Sequence, residues 1–398
     1  MDYSISDSLQ QRLNTTKKIL EDEVFPLEKL LLAGEYEKLK EAIKTVQTKV
    51  KSLGLWAPNL PADVGGTYSG LVDLALFGEV LGQSPVGHIC FGTQAPDAGN
   101  AELLHLHGSD EQNAEWLVPL ASGSIRSCFA MTEPHTAGSN PTLLDTTAVL
   151  DGDEWVINGR KWFTSSADGA QFTIAMVITE PDAAKHARAS MIIVPLDNPG
   201  FRIVRNIPVM GHAGHGYFSH SEVEFTDCRV PVTNLIGQRG QGFLLAQDRL
   251  GPGRIQHCMR WLGICQRSLD IMCRYVQTRA INSSQTLADQ QIIRQMIAQS
   301  SAELAAARAL VLETAWRVEN ESFKAAKENV SLIKFYTADV LQRIVDRAIQ
   351  AHGALGVTDD TILAFFYREE RAARIYDGPD EVHQMSVAKS ILRRYTSE

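Results

Sequence analysis

The sequence predicts an α+β fold in three consecutive regions: an N-terminal helical domain over 1–125, a middle antiparallel β-barrel domain over 126–240 and a C-terminal four-helix bundle over 241–398. Between Gly263 and Gly353 there is neither Gly nor Pro, which suits long helices and little else. Between Cys128 and Phe225, short runs rich in Val, Ile, Thr and aromatics are cut by turns such as Asp151-Gly152-Asp153 and Asn198-Pro199-Gly200. Helices and strands are segregated rather than alternating, which argues against a parallel βαβ sheet and a Rossmann cofactor site.

In the N-terminal region, a charged segment through Lys51 gives way to Leu71-Val72-Asp73-Leu74-Ala75-Leu76-Phe77 and Ala101-Glu102-Leu103-Leu104, both helix-like, with a loop at Pro58–Gly66 between them. The runs 145–150, 154–157, 172–179, 191–195, 201–205 and 222–225 are each of strand length and together suit a small antiparallel barrel or sandwich. From Gln241 the pattern is helical again. Cys258, Trp261, Leu262, Cys265, Leu269, Met272 and Val276 recur at helical spacing, as do Val382, Met385, Ala388, Leu392 and Tyr395, so each set predicts an apolar stripe in a bundle. The run from Val357 to Asp377 reads as a helix stopped by Gly378-Pro379.

A chain of 398 residues exceeds the usual size of one core, and 44% hydrophobic with 21% charged residues describes an ordinary globular protein. The net charge of -9 argues against nucleic acid as a partner, because phosphate binding draws on clustered Lys and Arg. No apolar run reaches membrane-spanning length, and Met1-Asp2-Tyr3-Ser4 does not begin an export signal, so neither a membrane nor secretion is expected. Six cysteines without a Cys-x-x-Cys pair suggest neither zinc nor disulfides. A reducing compartment follows: cytoplasmic, with the mitochondrion and peroxisome left open.

Five segments are candidates for chemistry. In Met131-Thr132-Glu133-Pro134 and the following Gly138-Ser139, a hydroxyl and exposed backbone donors suit the polar edge of a ring and a phosphate, though a plain Pro/Gly-rich connector has the same composition. Asn158-Gly159-Arg160-Lys161-Trp162-Phe163-Thr164-Ser165 joins a hairpin signal to aromatics and hydroxyls that could stack on a flat ring, or simply fill a core. His212, His215 and His220 sit in a Gly-rich loop, without helical spacing or a nearby Cys, so no metal site is expected. Gly251-Pro252-Gly253-Arg254 looks like the opening of the first long helix, with Arg254 a candidate anion contact or a surface ion pair. Asp377 stands at a forced break before Gly378-Pro379, beside a backbone that a ligand could approach.

In this order, these segments resemble the acyl-CoA dehydrogenase family of flavoproteins, over essentially the whole chain. The Asp377-Gly378-Pro379-Asp380-Glu381-Val382-His383 run is most similar to the branch whose eukaryotic members fuse this module to a kinase-like domain. The resemblance implies FAD as cofactor, an acyl-CoA substrate and an electron-transferring flavoprotein as acceptor. It implies that Phe129, Met131, Thr132, Phe163, Thr164 and Ser165 contact the flavin ring, with Thr132 at the pyrimidine edge and Ser165 facing N5. Gly138 and Ser139 would meet the pyrophosphate, with Gly378 also near the cofactor. Arg279, Gln290, Gln350 and Gly353 match positions that grip the FAD of a neighbouring subunit, so a homodimer or homotetramer is implied. Arg254, Tyr376 and Gly378 would face substrate, and Asp377 takes the place of the catalytic Glu that removes the α-proton. Asp is shorter by one carbon–carbon bond, about 1.5 Å. Two alternatives stand beside this reading: a flavin oxidase on the same fold, similar to nitroalkane oxidase, and a binding module without turnover.

Overall fold

The structure, a computed structural model, describes residues 5–396; the opening Met1–Ser4, read above for an export signal, lies outside the described residues. Its principal helices are α1 (Asp7–Ile19), α2 (Tyr36–Ser52), α3 (Leu71–Leu81), α4 (Asp97–His107), α5 (Gly242–Thr278), α6 (Gln291–Asn320), α7 (Phe323–His352), α8 (Leu363–Glu370) and α9 (Asp380–Arg393). Its strands are β1 (Ser127–Ala130), β2 (Thr147–Asp151), β3 (Glu154–Ser165), β4 (Phe172–Ile178), β5 (Ala189–Pro195), β6 (Phe201–Asn206), β7 (His220–Pro231) and β8 (Leu235–Ile236). The predicted order of helices, strands and helices holds. The chain divides into two compact units, one from Met1–Leu55, Ser69–Phe91 and Gly251–Glu398, the other from Trp56–Tyr68 and Gly92–Leu250.

In the first, helical unit, α2 turns Leu39, Ile43, Val46 and Val50 inward at helical spacing. α3 is apolar on most sides and is buried accordingly. It meets α5 across glycines: a Cβ on Gly82 would lie 2.3 Å from the Arg260 carbonyl oxygen, and one on Gly263 would lie 2.2 Å from that of Glu79. Only glycine permits so close a crossing, and it fixes the stretch of α5 around Arg260. The stripe Cys258, Trp261, Leu262, Cys265, Leu269, Met272, Val276 is buried as its spacing predicts. α6 and α7 are joined through Ser322, whose side chain accepts from Ala325 N, and are tied by the Arg347–Glu303 ion pair at 2.7 Å.

Three expectations about these helices change. α5 begins at Gly242, so Gly251-Pro252-Gly253-Arg254 lies within it rather than at its start; Leu245 and Ala246 are buried, which lets the helix wind from an earlier apolar turn. The helix expected to run to Asp377 stops at Glu370, where Gln342 Nε2 donates to the Glu370 carbonyl at 2.7 Å and a 3₁₀ turn, Arg371–Arg374, follows. On α9 the predicted apolar stripe faces outward, with Met385 73% and Leu392 64% exposed and Tyr395, just past the helix end, 80% exposed, while Asp380, His383 and Val387 are buried. Polar bonds decide that face: Lys334 and Arg374 approach Asp380, and Ser390 donates to Glu328 at 2.6 Å.

The second unit contains an eight-stranded sheet in the order β6-β7-β3-β2-β4-β5-β8, with β1 also on β4. It is open, not the expected closed antiparallel barrel. Closure requires a full-length ladder between the end strands, and β8 has two residues, both committed to β5. Nor is it purely antiparallel: β1 pairs with β4 in parallel from Ser127↔Phe172 to Ala130↔Ala175, and β2 touches β4 in parallel at Thr147↔Ile178. Trp155, Ile157, Val177, Ile192, Val223 and Phe225 form its core with their neighbours.

Candidate functional site

In the sheet unit, the two ring-binding candidates lie side by side. Trp162 N–H donates to the Thr132 carbonyl at 2.9 Å, and Lys161 Nζ donates to the Met131 carbonyl at 2.9 Å and to Glu133 Oε1 at 2.7 Å. Glu133 also accepts from the backbone N–H of Asp145 at 2.6 Å and of Thr146 at 2.9 Å. Burial alone would raise the Glu133 carboxyl, but Lys161 and these N–H groups hold it below its ordinary value. Burial pulls the fully enclosed Lys161 down to about 8 against the pull of Glu133, so it is still an ammonium at neutral pH. The pair staples the Met131–Glu133 segment to β3.

Beyond the staple, β3 bulges. Lys161 pairs with Val223 and Thr164 with Ser221, so Trp162 and Phe163 together oppose Glu222. Phe163 takes a left-handed φ of 50°, rare for an aromatic residue, and is 43% exposed. The neighbouring Thr164 Oγ1 is buried without a hydrogen-bond partner among the described residues, and Ser165 Oγ lies 2.8 Å from His220 Nδ1. Phe129, on β1, has the Arg249 guanidinium 4.2 Å over its ring. Asn100 fixes that strand by donating to the Cys128 carbonyl at 3.0 Å. A Cβ on Gly138 would stand 3.2 Å from Thr132 Cγ2, and Ser139 follows it, exposed, in the loop. The histidines diverge: His215 Nδ1 is 3.1 Å from Asp168 Oδ2, His212 bridges Val209, and His220 meets Ser165. Among the described residues no group of three or more His, Cys, Asp or Glu is placed to hold a metal ion.

In the helical unit, Asp377 and Gly378 are both left-handed, with φ of 53° and 96°. Asp tolerates that region better than most residues, and at Gly378 a side chain is excluded twice over, since a Cβ would stand 2.8 Å from His383 Nε2. Both carbonyls are clamped. That of Asp377 accepts from Arg254 Nε at 3.2 Å and His383 Nε2 at 3.1 Å, and that of Gly378 from Lys334 Nζ at 2.7 Å. Burial lowers His383 to about 4, so the ring is neutral and its bond to a carbonyl puts the proton on Nε2. Burial also lowers Arg254 and Lys334, opposed by Asp377 at the first and by Asp380 and Asp377 at the second. In a trans peptide the C=O and the next N–H point in opposite directions, so clamping the Asp377 carbonyl aims the Gly378 N–H the other way. Among the described residues that N–H has no hydrogen-bond partner.

The Asp377 carboxylate is reached by a residue that the sequence did not single out: His257 Nε2 lies 3.0 Å from Oδ2. Tyr376 points its hydroxyl into a buried group, where Arg260 donates at 2.8 Å and Trp261 Nε1 at 3.0 Å, with Glu370 as acceptor at 3.3 Å. Burial, with Glu370 adjacent, raises its phenol well above the ordinary value. Arg254, Tyr376, Asp377 and Gly378 are therefore brought together. Arg279 and Gln290 lie in the α5–α6 loop and Gln350 and Gly353 at the end of α7; Tyr275 stacks on His352 at 4.1 Å and links the two helix ends.

Three acyl-CoA dehydrogenase family models match the chain: the N-terminal domain over residues 6–124, the middle domain over 128–228 and the C-terminal domain over 240–392. The protein named probable acyl-CoA dehydrogenase FadE2 of Mycobacterium tuberculosis is 45% identical, over 89% of this chain and 86% of its own length. The chain belongs to the acyl-CoA dehydrogenase family. Acyl-CoA dehydrogenase family member 11 of Homo sapiens is 40% identical over 90% of this chain, which spans only 45% of that relative's length. A Mycobacterium abscessus structure assigned to the acyl-CoA dehydrogenases superposes with a TM-score of 0.94 at 36% identity, covering 99% of this chain and 100% of that one. Butyryl-CoA dehydrogenase from Megasphaera elsdenii superposes at 0.85 and 25% identity, covering 99% and 100%.

Members of the acyl-CoA dehydrogenase family are FAD enzymes, and two features of the sheet unit suit such a cofactor. Phe163 is held outward at the bulge although its backbone is strained there, and the adjacent Thr164 hydroxyl is buried with no hydrogen-bond partner among the described residues. An exposed aromatic beside an unmet hydroxyl suits a flat ring with a polar edge.

Proposed function

We propose that the chain catalyses FAD-dependent α,β-dehydrogenation of an acyl-CoA thioester, with Asp377 as the base that removes the α-proton. The clamped turn at Asp377 carries this reading: it presents a carboxylate beside a backbone N–H while both local carbonyls are turned away and tied down. The α-C–H bond breaks, its proton passes to the Asp377 carboxylate, and the electron pair enters the thioester as an enolate. Backbone N–H groups of the turn meet the charge developing on the thioester oxygen. When bound, FAD supplies the acceptor for the hydride that leaves the β-carbon. Phe129, Met131, Thr132, Phe163, Thr164 and Ser165 would hold its ring, and Gly138 and Ser139 its pyrophosphate. Arg279, Gln290, Gln350 and Gly353 would hold the adenosine end of FAD in a neighbouring copy of the chain.

Arg254 and Gly378 serve the substrate side of the turn, and Tyr376 braces it. An electron-transferring flavoprotein takes the electrons onward, and the chain works as three segments, 1–125, 126–240 and 241–398. A homodimer or homotetramer is supported by the exposed apolar stripe of α9. No helix is long and apolar enough to cross a membrane, among the described residues, and a reducing interior, the cytoplasm first, suits the free cysteines.

The test is anaerobic mixing of the purified yellow protein with acyl-CoAs while the flavin absorbance is followed. Bleaching is expected, with slow reoxidation in air. Asp377→Asn should keep the flavin colour and ligand binding and bleach slower by about a hundredfold to ten-thousandfold, the usual contribution of a positioned base. A colourless protein, or a variant that bleaches at the original rate, would refute the assignment.

A further inference from the structure

We infer that His257 is a positioning residue for Asp377, a role that rests on Asp377 being the base. His257 stands one helical turn beyond Arg254 on α5, with its Nε2 3.0 Å from Asp377 Oδ2. Its ring is fixed from two sides. Trp261, a further turn along, stacks on it with centroids 6.2 Å apart and planes 22° apart, and Tyr376 meets it edge-on at 5.4 Å and 60°. Tyr376 is in turn held through its hydroxyl by Arg260, Trp261 and Glu370. The imidazole therefore cannot swing away without breaking packing that is itself braced.

The chemistry of the contact assigns its proton. An ionised carboxylate offers only acceptors, so the nitrogen facing Oδ2 carries the hydrogen, and His257 donates from Nε2. When the α-proton arrives on the other carboxylate oxygen, Oδ2 becomes the carbonyl oxygen of the acid and accepts the same N–H. The bond persists in both protonation states, so His257 holds the carboxylate without passing its proton on. Arg254 does a different job, because its hydrogen bond goes to the Asp377 carbonyl. An Asp side chain has two rotatable bonds between backbone and carboxylate. With the backbone clamped at two carbonyls and Oδ2 tied to His257, the plane of the carboxylate is set before any thioester arrives. Geometry of this kind is where small errors are costly: about 1 Å of misplacement can cost a hundredfold in rate.

The test separates proton abstraction from redox turnover. A β-thia acyl-CoA, in which sulfur replaces the β-carbon, has an acidic α-hydrogen and no β-hydride to lose. Its α-hydrogen exchange with deuterium oxide on the FAD-loaded enzyme, read by mass spectrometry, reports the base alone. His257→Phe keeps a ring in the stack but has no N–H, and it should exchange about tenfold to a hundredfold more slowly with unchanged flavin spectrum and unchanged affinity for the analogue. His257→Gln, whose amide N–H reaches the same region, should recover most of that loss. His257→Leu repeats the first arm with a smaller side chain if the larger ring is not accommodated. Wild-type exchange in the variants lacking the N–H, or a Gln variant as slow as they are, overturns the positioning role. Asp377→Asn distinguishes the two levels: if it still exchanges, the base assignment fails and takes this inference with it. If it does not exchange while the His257 variants do so at full rate, the positioning role fails alone.

Discussion

Replacing Lys161 by Met removes the ammonium that staples the Met131–Glu133 segment to β3, and the structure sets the size of the effect. Glu133 is left buried with the Asp145 and Thr146 N–H groups but without its cation. An unpaired buried carboxylate protonates instead of staying charged, and at pH 7, from an ordinary value of 4.5, that costs about 3 kcal/mol. Loss of the bond to the Met131 carbonyl adds about 1 kcal/mol, for a total near 4 kcal/mol, inside the range for breaking a buried pair. The origin in Glu133 gives the loss a pH signature. In the native protein the folded Glu133 value is depressed, so its stabilisation is present above 4.5 and disappears as pH falls through the folded value. In the Lys161→Met variant, protonation becomes cheap as pH approaches 4.5, so the deficit should shrink to about 2 kcal/mol at pH 5. Urea unfolding at both pH values measures it, and Lys161→Met with Glu133→Gln should be less destabilised at pH 7 than Lys161→Met alone. A deficit below about 1 kcal/mol at pH 7, or one that does not change with pH, would refute the argument.

Three further outcomes are expected. Gly378→Ala forces a Cβ into a left-handed position 2.8 Å from His383 Nε2; it should cost roughly 1–2 kcal/mol in backbone strain and weaken acyl-CoA analogue binding in a titration, with the flavin spectrum unchanged. Phe163→Gly relieves the strain of a φ of 50° at an exposed site, so the FAD-free protein should melt no earlier than wild type, while FAD affinity falls by about tenfold or more in fluorescence titration. His383→Gln addresses acid stability: His383 has a folded value near 4 against 6.5, so the unfolded chain binds a proton that the folded one refuses, and stability falls as pH drops through that window. The Gln variant should show a flatter stability profile between those two pH values in chemical unfolding.

What could be read from the sequence was whatever has a period or a breaker. The α5 stripe from Cys258 to Val276 needed only helical spacing and an absence of Gly and Pro, and its side chains are buried. The same reasoning misplaced the α9 stripe, because spacing identifies an apolar face but not which face wins the core. There, Asp380 and His383 turn inward to partners on other segments, and Met385, Leu392 and Tyr395 are left outside. Strand lengths were legible and sheet closure was not, since closure depends on how much ladder the end strands can offer, and β8 offers two residues. His257 escaped notice for a related reason. One turn beyond Arg254 it is an unremarked position on a helix, and its significance comes from a partner 120 residues away that no local pattern could indicate.

Asp377 itself was legible, but for a reason the structure replaces. The sequence placed it at the end of a helix stopped by Gly378-Pro379; the helix in fact ends at Glu370, and what exposes Asp377 is a pair of left-handed residues whose carbonyls are tied to Arg254, His383 and Lys334. These three ligands come from α5, α9 and α7. A helix end frays, whereas a turn bonded to three helices does not shift without disturbing each of them. That difference bears on the use of Asp in place of Glu. A longer side chain can search for its proton, but a shorter one depends on the backbone being in the right place already. The clamped carbonyls fix the backbone and His257 fixes the carboxylate plane, so the short reach of Asp377 is matched by how little of it is free to move.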